Sequence, residues 1–371
     1  MNILVLSWRD TKHPLAGGAE QVMHEHIKGW IDAGHKVTFF SSYLKNLPKE
    51  DNIDGIKIVR NGHQYLGVQI KAFLYYIKNK NKFDLVVDEF HGIPFFTPLY
   101  VKKPILAVLQ EVAREVWFKN PFIFPINYLV GVIGYLSEPI VLRLYSKNKF
   151  VVGSNSARED LIKFGVDDRN ITVVPHGVLL PKKLPKHVQG DIKIITFLGT
   201  LSDDKGILDA LKAFKILNSL GKYQFWIIGK AENDDSDAKI KEKVKEMNLQ
   251  VKFWGRVDDK KKFDLLARTF LLINPSIREG WGLVNIEANA VATPVVAYPS
   301  QGLIDSVKDG ISGIITKSKT PEDLAIEVEN LNLDNKKYIK LTLGAKKWAM
   351  DFSWDRSRKL SQKLVDSLLQ F

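Results

Sequence analysis

Twice along this chain, short uninterrupted runs of Val, Ile, Leu and Phe alternate with stretches of helical period, and that alternation restricts the fold more than any other feature. In the first half the apolar runs fall at residues 2 to 7, 36 to 41, 56 to 60, 83 to 87, 104 to 109, 149 to 153 and 171 to 174. Several lack the period-two polarity of a strand with one wet face, so they read as strands buried on both faces of a parallel sheet. Parallel neighbours need a crossover, which a helix supplies. Between the first two runs Met23, Ile27, Trp30 and Ile31 share one helical face, and Gly34 stands where a glycine ends a helix. Ser156 and Glu159 have the spacing of a capping box ahead of Leu161 and Ile162, closed by Gly165.

Residues 179 to 191 are rich in Pro and Lys and have no periodicity, as suits an interdomain linker. A second series follows, with strands at 193 to 198, 223 to 229, 250 to 254, 270 to 274, 294 to 298 and 313 to 315. Helical patterns at 206 to 220, 237 to 247, 260 to 268, 283 to 292 and 321 to 331 separate them. A chain of 371 residues exceeds one ordinary core. The prediction is two doubly wound α/β domains, 1 to 178 and 192 to 353, with a mostly helical tail from Asn335 to Phe371.

The chain has no cysteine, which excludes disulfides, thiolate metal sites and a cysteine nucleophile. Its first residues form an apolar strand without a basic leader or cleavage site, so the predicted location is cytoplasmic. A net charge of +12, from 54 Lys and Arg against 42 Asp and Glu, implies attraction to polyanions. There is no arginine-rich arm, aromatic RNA-binding strand or Cys/His finger spacing, so nucleic acid is not a predicted partner. Phosphorylated substrates and an anionic membrane face remain.

The most informative segment runs from Asn274 to Glu287, with Glu279, Gly280, Trp281, Gly282 and Leu283 between a strand and an amphipathic helix. Unpaired amides and the positive end of a helix dipole converge at such a turn, and glycines let a diphosphate approach. Glu287, one turn inside, can accept hydrogen bonds from a ribose diol, and Glu279 can hold sugar hydroxyls. Two glutamates with seven residues between them, in the form Pro-Ser-x-x-Glu-Gly-x-Gly-Leu, resemble the signature of the retaining glycosyltransferases of family 4. That resemblance implies the GT-B fold, two Rossmann-like domains facing across a cleft. It also implies a nucleotide-sugar donor as substrate, with no cofactor and no metal.

Three further segments match the same pattern in the same order. Gly17 and Gly18 open the first helix, as the family's glycine loop does beneath the donor phosphates. Gly199 to Gly206 opens the second domain as the family's Gly-Arg-Leu…Lys-Gly segment does, where an arginine and a lysine neutralise the leaving diphosphate. Lys205 matches the lysine, but the arginine position is Thr200, which donates one neutral hydrogen bond at most. Arg278, Arg256 and Arg9 are the candidates to replace it, or the enzyme runs on one cation. Arg256 and Val257 resemble the turn that faces the nucleobase.

In the first domain, Asp88, Glu89 and His91 end a strand at the edge where α/β ligand sites form. Family members often place a histidine there, so His91 is a catalytic candidate, and Asp88 and Glu89 are candidates for contact with the acceptor. His24, His26 and His176 read as structural, and Asp235 and Asp237 as helix-start acids instead of a metal pair. Phe352 to Asp355 resembles the family's lead into a last helix, about 354 to 371, that returns to the first domain. Residues 116 to 136 form the most apolar and aromatic stretch, interrupted by Lys119, Pro121, Pro125 and Asn127 and so unable to span a bilayer. It is expected either to lie on the inner membrane face, with a lipid-linked or membrane-borne glycan as acceptor, or to form a buried helix pair. Two other classes stand beside the transferase. One is a non-catalytic sugar-nucleotide binding protein; the other, a dinucleotide oxidoreductase, lacks its Gly-x-Gly-x-x-Gly loop.

Overall fold

A computed structural model describes the whole chain except residues 65, 66, 91, 92, 121, 189, 221, 222, 232 and 369 to 371. The chain forms two compact units, Met1–Gly177 with Trp354–Phe371, and Val178–Ser353. In the first, the elements are β1 (Asn2–Leu6), α1 (Gly18–Asp32), β2 (Lys36–Ser41), β3 (Glu50–Ile53), β4 (Ile56–Arg60), α2 (Gly67–Asn79), β5 (Leu85–Phe90), β6 (Ile105–Leu109), α3 (Ile126–Leu144), β7 (Lys149–Val152), α4 (Asn155–Lys163) and β8 (Ile171–Val173). The sheet order is β3-β4-β2-β1-β5-β6-β7-β8. All pairings are parallel except β3 with β4.

The antiparallel β3 is absent from the sequence prediction because its residues, Glu-Asp-Asn-Ile, make no apolar run. Its turn, Asp54 and Gly55, has positive φ at both positions, the geometry of a tight hairpin. The predicted cap at Ser156 is also corrected. Ser154 lies in extended backbone and its Oγ accepts from Ala157 N at 3.2 Å, so Ser156 is already inside α4.

Side chains alternate across the sheet and sort the helices onto two faces. Ile3, Val5, Leu85 and Val87 meet Met23 and Trp30 of α1. Leu4, Leu6, Val86 and Ile105 meet Val68, Ala72 and Tyr76 of α2, while Ala107 and Leu109 of the same strand face meet Leu142 of α3. Thus α2 and α3 share one face and α1 covers the other. Behind Asp10, in the loop after β1, buried Arg60 holds the carboxylate from Nε at 2.6 Å and Nη2 at 2.9 Å, with Ser41 Oγ at 2.9 Å.

The second unit contains β9 (Lys193–Leu198), α5 (Ile207–Asn218), β10 (Tyr223–Ile228), α6 (Asp234–Glu246), β11 (Val251–Gly255), α7 (Asp259–Leu266), β12 (Leu271–Asn274), α8 (Leu283–Ala290), β13 (Val295–Ala297), α9 (Leu303–Ser306), β14 (Gly313–Ile315), α10 (Pro321–Leu333) and α11 (Asn335–Ala349). Its sheet is all parallel, in the order β11-β10-β9-β12-β13-β14. The last helix, α12 (Trp354–Ser367), belongs to the first unit and lies on α1. Trp30 Nε1 donates to Ser361 Oγ at 2.9 Å, His35 Nε2 lies 3.0 Å from Asp366 Oδ1, and Arg358 pairs with buried Glu25.

Candidate active site

In the second unit the chain winds from β9 outward to β10 and β11, then crosses to β12 on the other side of β9. The loops after β9 and β12 therefore part in opposite directions, and α/β sheets bind ligands at such a switch point. The loop after β9 carries Gly199, Thr200 and Lys205; the loop after β12 carries Arg278 and Glu279. Ile277 N donates to Asp204 O at 2.8 Å and ties the two loops together. Gly206, with φ of +74°, lets them approach, since a Cβ there would stand 2.2 Å from Pro275 O. The result is an ion pair: Lys205 Nζ lies 3.0 Å from Glu279 Oε2, with the side chains 27% and 18% exposed. Both groups are thus reachable by a ligand.

A buried polar frame fixes Glu279. Asn274 Nδ2 donates to Asn285 Oδ1 at 2.9 Å, and Asn285 Nδ2 to Ser306 Oγ at 2.9 Å. Ser300 Oγ donates to Ser276 O at 2.7 Å, and Ser276 Oγ lies 3.0 Å from Glu279 Oε1. Glu279 N donates to Gln301 O at 3.1 Å. Gly302, with φ of +78°, abuts the same backbone, for a Cβ there would sit 2.2 Å from Glu279 O. Buried networks of this kind rigidify what they touch. Sequence reasoning missed Ser300, Gly302 and Ser306, although Pro299-Ser-Gln-Gly302 after a strand has the composition of a tight turn.

Gly282 is the N-cap of α8 in left-handed backbone, and Gly280, Trp281 and Leu283 complete the turn whose first amides have no partner inside the helix. The Trp281 ring is buried against Phe352 at 5.1 Å, so its side chain anchors the turn to the core instead of facing a ligand. Glu287 Oε1 accepts from Lys262 Nζ at 2.7 Å. Burial pushes the Glu287 carboxyl up and the Lys262 charge pulls it back, with a net upward shift. For Lys262, burial works to lower the ammonium, but Glu287 and Asp259 outweigh it. Val257 packs beside Trp226 and Leu265, while Arg256 and Thr200 are exposed. Among the arginine candidates, Arg278 is buried next to Glu279 and Arg256 stands beyond β11. Arg9 lies in the other unit, where its Nε donates to Glu20 Oε1 at 2.7 Å.

The first unit has its own switch point between β1 and β5. There Gly17 N donates to Glu20 Oε2 at 2.7 Å, and Gly17 and Gly18 are exposed at the start of α1. Asp88, expected to contact the acceptor, is instead committed to the fold. Its carboxylate accepts from Phe95 N at 3.2 Å, Thr97 Oγ1 at 2.7 Å and Tyr145 OH at 2.5 Å, and it has no exposed surface. Glu89 differs. Gln110 Nε2 donates to its Oε1 at 3.0 Å, but Oε2 has no partner among the described residues. It borders a small hollow lined by Ser7, Trp8, Ala19, Glu20 and Phe90. Burial, with a smaller contribution from the Glu20 charge, pushes its carboxyl from the ordinary 4.5 up to about 8. His91 lies outside the described residues, as does Pro121 of the apolar stretch. His26 and His176 are buried, and burial pushes them down to about 4 and about 3, as for neutral core imidazoles. Asp237 pairs with Lys241 at 2.6 Å in the first turn of α6.

Two family profiles match consecutive parts of the chain: Glycosyltransferase Family 4 over residues 16–180 and Glycosyl transferases group 1 over residues 182–348. The chain is a glycosyltransferase of the family 4 type. It is 28% identical over 189 residues to an uncharacterized glycosyltransferase of Methanocaldococcus jannaschii, a match covering 48% of this chain and 50% of that one. The match thus spans about half that relative's length. Among solved structures, sucrose-phosphate synthase from Thermosynechococcus elongatus superposes with a TM-score of 0.82 at 18% identity, covering 100% of this glycosyltransferase and 99% of that chain. Anabaena HepE in complex with UDP-glucose superposes with a TM-score of 0.71 at 16% identity, covering 99% and 100%. Such likeness establishes the fold, GT-B with two Rossmann-like domains.

Proposed function

We propose that this glycosyltransferase moves a hexose from a nucleoside diphosphate sugar to a hydroxyl of a lipid-linked or membrane-borne glycan, with retention at the anomeric carbon and without metal. The observation that carries this reading is the Lys205–Glu279 pair at 3.0 Å, at the β9/β12 switch point and on the loop that leads into α8. HepE, of the same fold, has been solved in complex with UDP-glucose. A diphosphate laid against the start of α8 meets the helix's unpaired amides, with Lys205 beside its terminal oxygen. As the bond from the anomeric carbon to that oxygen breaks, charge grows there, and the ammonium stabilises the transition state more than the ground state. Glu279, held by Ser276 and Gln301, accepts from sugar hydroxyls, and Glu287 from the ribose diol. The acceptor oxygen attacks the face the diphosphate leaves, and the departing phosphate takes its proton.

The test begins with thermal shifts on a panel of nucleoside diphosphates and their sugars. One base should raise the midpoint, more as ligand rises above Kd. With that donor and glycan acceptors, NMR of the product should show the donor's anomeric configuration. An inverted product refutes the mechanism, and donor binding with no transfer to any acceptor favours a sugar-nucleotide binding protein.

A further inference from the structure

Among the described residues, none covers the outer face of α3. Ile126, Leu129, Ile133, Leu136 and Ile140 recur every three or four residues, and each is 50% to 69% exposed. At the head of the helix Ile123 and Phe124 stand 78% and 81% exposed. The inner face explains why the stripe points outward. Gly131 and Gly134 let Phe118 and Trp117 pack flush against the helix, since a Cβ there would lie 2.5 Å and 2.2 Å from those rings. Trp117 and Phe118, the first aromatics of the apolar stretch, are therefore turned toward α3, with Trp117 the more buried.

Charge along this helix is distributed just as unevenly. Between residues 120 and 142 the single ionisable acid or base is Glu138, and it is buried, accepting from Ala113 N at 2.6 Å and Arg114 N at 2.9 Å. Exposed Lys119 stands at one end of the stripe, and exposed Arg143 and Lys147 at the other. On the same sheet face, α2 exposes Ile70 at 60% and Leu74 at 51%, flanked by exposed Lys71 and Lys78. Exposed Glu115 lies before Lys119, outside the stripe, and apolar stripes with cations at their rims and no exposed acid between residues 120 and 142 complement anionic lipid. They do not suit a second copy of this chain, whose matching stripe would bring its own basic rims with it.

We propose that the α2/α3 face of the first unit docks in plane on an anionic bilayer, with Ile123, Phe124 and the α3 stripe entering the acyl boundary and Lys119, Arg143 and Lys147 meeting lipid phosphates. No helix among the described residues is long and apolar enough to cross a membrane, so the contact is monotopic. The purpose of this docking rests on the reading of a membrane-borne acceptor, but its evidence is the surface alone. Loss of vesicle binding with donor binding intact removes the docking only; the converse removes the transferase reading only.

The experiment is vesicle co-sedimentation of the full chain, with phosphatidylcholine alone or with about one third phosphatidylglycerol. Binding to the anionic vesicles should exceed that to the neutral ones by about tenfold or more, and should fall steeply with salt. Ile123→Ser with Phe124→Ser and Ile133→Asn should cut it about tenfold or more while thermal midpoint and donor binding stay unchanged, because these side chains are already in water. Lys119→Gln with Arg143→Gln and Lys147→Gln should abolish the preference for anionic lipid. The proposal is overturned if the wild-type protein stays in the supernatant at low salt, or if the Ser/Asn variant binds as well as wild type. It also fails if sedimentation velocity shows a dimer that the Ser/Asn variant dissociates, since a second copy would then own this face.

Discussion

Replacing Lys205 by Ala separates a residue that works in the transition state from one that holds the fold. The Lys205–Glu279 pair is close, at 3.0 Å, but the partners keep 27% and 18% of their surface in water. Pairs in that setting contribute about 1 kcal/mol or less once desolvation and side-chain entropy are counted. Nor does the change strand Glu279, because Ser276 Oγ remains 3.0 Å from its other oxygen. The expected loss in the unit Val178–Ser353 is therefore about 1 kcal/mol, a midpoint drop of about 2–4 °C. Transfer should suffer far more. A single preorganised group aimed at developing charge contributes about 2.7–4 kcal/mol, or about 10²–10³ in kcat. Calorimetry and release of nucleoside diphosphate from the identified donor, measured on the same preparation, give the two numbers. Lys205→Arg should recover part of the rate. A variant within threefold of wild-type kcat, or one whose lost rate simply follows a large loss of folded protein, would falsify the assignment.

Glu89→Gln tests the buried carboxyl. Its folded value of about 8 exceeds the ordinary 4.5, so between those values the native state binds a proton that the unfolded chain has released, and stability falls as pH rises. The Gln variant lacks that proton, so its unfolding free energy should gain on wild type from pH 6.5 to 8 by about 1–2 kcal/mol; parallel profiles would count against it. On the acid side, His26 and His176 are held neutral in the fold at about 4 and about 3, below the ordinary 6.5. Stability should therefore also decline as pH drops below 6.5, and His176→Phe should weaken that decline if the ring is tolerated. Gly302→Ala combines a φ of +78° with a Cβ 2.2 Å from Glu279 O, and should cost about 3 kcal/mol together with most of the transfer. An active, fully stable Ala variant would mean that this turn does not position Glu279. Finally, transfer should survive EDTA, and a loss that manganese restores would return Asp235 and Asp237 to consideration as ligands.

Periodicity and turn chemistry alone determined the two α/β series, the parallel sheets, the strand-to-helix loops that hold Lys205 and Glu279, and the helix that carries Glu287, because each rests on neighbours in the chain. Two glutamates at a fixed spacing beside a glycine turn needed no third dimension. The spacing could not tell Asp88 from Glu89, adjacent acids on one strand. Alternation sends Asp88 inward to Thr97 and Tyr145, whereas Glu89 reaches a hollow with one oxygen unpaired. Nor could it show that Trp281 fills the core against Phe352 while the side chain of Lys205, 76 positions earlier, reaches Glu279 two residues before it. Two loops meet there only because the strand order places β12 beside β9, and chain separation carries no trace of that order. The apolar stretch around α3 makes the same point. Its composition is visible in the sequence, but which residues face water depends on Gly131 and Gly134 admitting two aromatic rings, a packing decision made only when the helix meets its neighbour.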